Sequence, residues 1–145
     1  MIREFSDGIW YFAHPYTCKD DEGNYCSGGE EANFRLCCIR SAKLIEAGFI
    51  IFSPIAHSHP IHTAWPDFVG KQIHDMWYLI DNRIIDEVPF RGIIMAPKWE
   101  TSKGCVCEKK RFENLNREVL YYNMLTYRNI LTRYAEKVDG VENFG

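Results

Sequence analysis

At 145 residues, 46% of them apolar and 26% charged, the chain has the balance of a single globular domain and is not a solvated low-complexity segment. A formal net charge of -3 supplies no basic footprint for a nucleic-acid polymer, but one lysine or one helix start can still hold a small anionic ligand. The N-terminus, MIREFSDGIWYF, lacks a signal-peptide core and no apolar run approaches a membrane span. A cytoplasmic domain over residues 1–138 with a polar tail at 139–145 is therefore expected.

Gly8 to Ala13 (GIWYFA) is apolar, aromatic-rich and of strand length, and it stops at His14-Pro15. Tyr16 to Gly29 is polar and glycine-bearing, so it reads as a surface loop at the end of that strand. Tyr16, a phenol just past the strand, could hydrogen-bond to a ligand or simply pack as a half-buried aromatic. From Glu30 to Ala47 the positions Phe34, Cys37, Cys38, Ala42, Leu44 and Ile45 recur at helical spacing, with acids in the first turn and Gly48 past the end. Phe49 to Ser53 (FIIFS) then reads as a buried strand closed by Pro54. Strand, crossover helix and strand make a βαβ unit, which implies a parallel sheet.

Pro54 to Pro66 carries two more prolines among polar residues and reads as an irregular loop. Its His57, His59 and His62 invite a zinc proposal, yet no carboxylate or cysteine completes a set at ordinary ligand spacing. Asp67 to Asp86 places Ile73, Met76, Trp77, Ile80 and Ile84 on one helical face, while Asp75 and Asp81 lie off that stripe; periodicity does not choose between these two carboxylates. Gly92 to Ala96 (GIIMA) is a third buried strand. Gly104 to Asn116 reads as a helix, Glu118 to Tyr122 as a fourth strand, and Met124 to Lys137 as a closing helix.

Between the third strand and its helix lies WETSKGCVCE, Trp99 to Glu108. Ser102, Lys103 and Gly104 occupy the helix start, where unpaired N–H groups favour an anion or a sugar hydroxyl. Glu108, one turn on, would face the crevice at the strand ends. The six cysteines read as free thiols rather than a disulfide framework, given no export signal. Cys18, Cys26, Cys105, Cys107 and His14 match no paired CxxC spacing, so neither a metal nor another cofactor is expected.

Taken together, YFAHPYT (Tyr11 to Thr17), EAGFIIFSPIAHSHPIH (Glu46 to His62), the helix bearing Trp77 and Asp81, and WETSKGCVCE with its SxGxxxE core resemble the nucleoside 2-deoxyribosyltransferase-like superfamily. The likeness runs from about Ile9 to Tyr122 and is closest to the branch of the domain-of-unknown-function 1937 type. It implies an α/β flavodoxin-like, Rossmann-like parallel sheet of four to five strands with helices on both faces, often in a homodimer, acting on a nucleoside or nucleoside 5'-monophosphate. By motif, Glu108 is the implied nucleophile, Asp81 the implied acid/base with Asp75 in reserve, and Tyr16 the aromatic that orients the glutamate. Ser102 and Gly104 would face a 5'-phosphate, and His14, Pro15, His57, His59, Asp75 and Trp77 would line the substrate.

The chemistry so implied follows from elementary physics. Breaking a glycosidic C–N bond builds positive charge on the sugar, which a carboxylate beneath the anomeric carbon stabilises or captures. The leaving base must gain a proton, and a carboxyl group of raised pKa can supply it. Water as acceptor makes a hydrolase; a second base makes a transferase. Two other classes fit the same pattern: a non-catalytic module holding a nucleotide or an NAD-derived signal, and an interaction protein without turnover.

Overall fold

In a computed structural model of the chain, residues 8–17, 22, 29–65 and 71–125 are described, with 71–74 as backbone only. The cysteines at 18 and 26, the proposed closing helix beyond residue 125 and the tail lie outside the described residues.

The elements are β1 (Ile9–Ala13), α1 (Gly29–Glu46), β2 (Ile50–Phe52), α2 (Pro54–Ala64), α3 (Lys71–Glu87), β3 (Gly92–Met95), α4 (Lys103–Asn114) and β4 (Glu118–Tyr121). The four strands form one sheet in the order β2-β1-β3-β4, and every neighbouring pair is parallel. Strand order reverses between β1 and β3, so the crevice at their C-terminal ends is where such a sheet receives a ligand. This is the α/β flavodoxin-like arrangement, with helices on both faces. No described helix is long and apolar enough to cross a membrane.

Alternation along β1 builds two cores. Trp10 and Phe12 pack with Cys37, Leu44, Phe49 and Ile94 on the α1 side. Tyr11 and Ala13 pack with Ile85, Phe90, Ile93, Cys105 and Phe112 on the α3 and α4 side. Helix α1 ends as Gly48 suggests: this residue has φ +96°, its N–H bonds to Ile45 and the Phe49 N–H to Leu44, at 2.9 and 3.0 Å. That is a Schellman closure whose Leu44 and Phe49 are both buried in the core. Asn116, with φ +56°, closes α4 in the same way: its N–H bonds to Glu113 and the Arg117 N–H to Phe112, both at 3.0 Å.

Three expectations are corrected. Pro54 to Pro66 is no irregular loop: Pro54–Ala64 is helical, because Ser53 accepts from the Ala56 N–H at 3.2 Å and Pro54 sits at the first helical position, where its missing N–H costs nothing. Strand β2 is an edge strand, which leaves Ile50 41% exposed. The inward stripe of α1 is Cys37, Ser41 and Leu44, spaced i, i+4, i+7, which turns Ile45 outward to 50% exposure.

Candidate active site

Helix α4 begins where Ser102 caps it, its Oγ accepting from the Cys105 N–H at 3.3 Å. From that start, Cys105, Glu108 and Phe112 follow at i, i+3 and i+7 and share the face turned to the sheet; Cys105 and Phe112 are buried and Glu108 is half-buried. Its carboxylate oxygen Oε2 accepts a hydrogen bond from the Tyr11 hydroxyl in β1. The phenol is itself wedged among Phe90, Phe112 and Phe52, with ring centroids 5.4, 5.5 and 6.0 Å away. A buried mid-strand tyrosine needs a partner for its O–H, and Glu108 is that partner.

Asp81 completes the group from α3. It stands one turn before the fully buried Ile85, which puts it on the inward face of the helix, half-buried. Its Oδ1 is buried with no hydrogen-bond partner among the described residues. Asp75, held in reserve as the acid/base, is exposed, so the carboxylate facing Glu108 is Asp81. Of the stripe expected on α3, Met76 is 42% exposed while Ile84 packs against the core; Ile85 and Asp81 share the inward face.

Electrostatics follow from this placement. Burial pushes Glu108 up to about 8; the Tyr11 hydrogen bond opposes the rise and the charge of Asp81 adds to it. Burial raises Asp81 to about 6. Tyr11 is held well above its usual value by burial first and then by Glu108 and Asp81, so it stays a hydrogen-bond donor. Cys105 is pushed up to about 12 by burial and by Glu108, which keeps it a thiol and not a nucleophile.

These raised values set the sign of a stability change with pH. The folded protein binds protons on Glu108 and Asp81 more tightly than the unfolded chain, whose carboxyls titrate near 4.5 and 3.8. The stabilisation is complete below those values and is lost as pH rises to about 6 and then about 8. Urea midpoints measured between these limits should fall with rising pH, and Glu108→Gln should flatten most of the upper part of that slope.

The remaining residues singled out from sequence divide into separate clusters. Tyr16, expected to orient Glu108, bonds instead to His59 Nδ1 at 2.6 Å, and His59 Nε2 meets Glu31 Oε2 at 2.7 Å while Phe34 stacks on the imidazole at 4.3 Å. The physical reason is facial: Tyr16 packs against the α1-side core, whereas Glu108 projects toward the α4 side of the sheet. His14 is buried with both ring nitrogens engaged, by the Pro15 carbonyl at 2.8 Å and by Arg40 at 2.9 Å. Neither nitrogen is then left for a metal or a ligand.

His57 and Trp77 do come together, edge to face at 6.2 Å. Through Phe52, 5.9 Å from His57 and 6.0 Å from Tyr11, they form a line of rings leading to the Tyr11–Glu108 pair. Ser102 and Gly104 sit at the α4 start, and a Cβ on Gly104 would meet only Ser102 Oγ, at 3.8 Å. Among the described residues no three His, Cys, Asp or Glu side chains are arranged to hold a metal ion, and Cys37, Cys38, Cys105 and Cys107 are free. Sequence reasoning passed over Tyr11, Glu31 and Arg40. Only Tyr11 left a signal, as the one hydroxyl inside an otherwise apolar strand.

A family model described as "Domain of unknown function (DUF1937)" matches residues 8–124. No curated protein matches the chain.

Proposed function

The chain belongs to the DUF1937 family, and from that premise we propose that it cleaves the N-glycosidic bond of a nucleoside or nucleoside 5'-monophosphate, or transfers its (deoxy)ribosyl group, with Glu108 as nucleophile. This reading takes the chain as a branch of the nucleoside 2-deoxyribosyltransferase-like superfamily that its motifs resemble. The observation that carries it is the approach of two raised carboxyls, Glu108 and Asp81, beside one phenol that fixes the first of them.

Glu108, oriented by Tyr11, attacks the anomeric carbon as the C–N bond breaks; the bonding pair leaves with the base, which takes a proton from Asp81. Water, or a second base, then displaces the sugar from Glu108. Between about pH 6 and 8 the two carboxyls hold one proton between them, on Glu108 while Asp81 is ionised, so attack follows transfer of that proton from Glu108 to Asp81. The rings of His57 and Trp77 offer a face for the base, and Ser102 and Gly104 border the sugar. The homodimer implied by the resemblance would find Tyr78 and Leu79, 56% and 67% exposed on α3, available for pairing.

The test is to incubate the protein with a panel of nucleosides, nucleoside monophosphates and NAD and to follow free base by chromatography. Release from at least one compound is expected, with a bell-shaped pH dependence centred between about 6 and 8. The protonation of Glu108 below about 8 favours one second reading, a non-catalytic module in which the neutral carboxyl donates a hydrogen bond to a nucleotide or NAD-derived ligand. Tight binding without any base release would decide for that module and against the enzyme.

A further inference from the structure

On the α1 side of the same rim lies a cation with no anion among the described residues. Arg40, in the middle of α1, is half-buried, donates from Nη1 to His14 Nε2 at 2.9 Å, and stands over the Tyr122 ring with its guanidinium carbon 5.7 Å from the centroid. The histidine does not neutralise it. His14 Nδ1 faces the Pro15 carbonyl at 2.8 Å, so that nitrogen carries the proton and donates, leaving Nε2 as an uncharged acceptor. Burial lowers the His14 pKa and Arg40 lowers it further against the Pro15 bond, which keeps the imidazole neutral.

Ion pairs among the described residues join His59 to Glu31, Arg83 to Glu87, Arg91 to Glu118, Lys109 to Glu113 and Arg111 to Asp86; none includes Arg40. Withdrawing a guanidinium from water is costly unless a counter-charge meets it. Here it meets an aromatic face and a neutral ring, which hold it in place and leave most of its N–H fork without a partner among the described residues. His14 directly follows β1 and Tyr122 directly follows β4, so this group stands at the C-terminal rim of the sheet, where parallel α/β sheets take ligands.

We propose that Arg40, held by His14 and backed by Tyr122, is an oxyanion site for a phosphate monoester. The guanidinium fork matches two oxygens of one phosphate, and the second negative charge of a monoester binds a lone cation more strongly than the single charge of a carboxylate. The site needs no turnover at Glu108. Where the ligand is a nucleotide, its phosphate lies on the α1 side of β1 and not at the start of α4, as the motif resemblance alone would have it.

The test uses the full chain and its thermal midpoint, titrated with inorganic phosphate and with a nucleoside 5'-monophosphate, against acetate and the matching nucleoside. Phosphate and the monophosphate should raise the midpoint progressively with concentration, and acetate should not. Arg40→Gln should weaken that response at least tenfold in concentration, Arg40→Lys, which keeps the charge without the fork, should weaken it in part, and Ser102→Ala should leave the response to inorganic phosphate in place. A response kept in Arg40→Gln and lost in Ser102→Ala would put the phosphate at α4 and overturn the proposal. So would an equal response to acetate, or none to phosphate. Because the readout is binding, a failure here leaves base release by Glu108 untouched, and loss of base release leaves this site standing.

Discussion

Glu108→Gln is expected to lower base release from the best compound of the panel by at least about 10³-fold, because the group that attacks the anomeric carbon is gone. Glutamine has the shape of glutamate and its amide oxygen still accepts from the Tyr11 hydroxyl, so Cys105 and Phe112 on the same face of α4 keep their packing. The loss is then one of charge and not of fold, which circular dichroism and the thermal midpoint will confirm. Glu113, exposed on the same helix and paired with Lys109 at 3.1 Å, provides the control: Glu113→Gln should change turnover less than about twofold, since exposed ion pairs contribute little. Single-turnover measurements that found release undiminished in Glu108→Gln would remove the proposed nucleophile from the mechanism.

The second large effect is on stability. Gly92 opens β3 between β1 and β4, opposite Trp10 on one side and Glu118 on the other. A Cβ built there would lie inside contact distance of the Glu118 carbonyl oxygen and 2.7 Å from Trp10 Cζ3. The first obstacle is backbone of the neighbouring strand and the second is a ring that is 1% exposed in the core, so neither can step aside without moving the sheet. Gly92→Ala should therefore cost about 3 kcal/mol, at the upper end for overpacking, and lower the thermal midpoint by roughly 10 °C for a domain of this size. Gly104→Ala provides the contrast, since its Cβ meets nothing closer than Ser102 Oγ at 3.8 Å and alanine favours the helix by up to about 1 kcal/mol. Equal midpoints for the two variants would show that the sheet yields at Gly92 and that the close approach is not tight.

Glycine and proline illustrate how far a linear reading extends. Gly48 past the end of α1 marks its stop correctly because a left-handed residue there needs no information from elsewhere in the chain. Pro54 misleads, because the same proline ends a strand and opens a helix, and the deciding fact is that Ser53 is free to cap the Ala56 N–H. Helix faces show the same divide. Of the expected α3 stripe Ile84 packs against the core and Met76 does not; only contact with the sheet selects the rotation that buries Ile85 and brings Asp81 inward. Tyr16 and Tyr11 are both phenols within one turn of the same strand end. Which of them reaches Glu108 depends on which face of the sheet each occupies.

By itself, then, the sequence determined the order of the strands and of helices α1, α3 and α4, the parallel sheet and the position of Glu108 in the first turns of α4, since each rests on periodicity and caps spanning only a few neighbours. Tertiary structure alone decided that Tyr11 holds Glu108, that Asp81 and not Asp75 joins them, and that Arg40 stands without a counter-charge among the described residues. Those pairings join residues 97 positions apart in the case of Tyr11 and Glu108. No local pattern encodes them, because they exist only once alternation along β1 assigns each side chain to a face and the helices pack down on it.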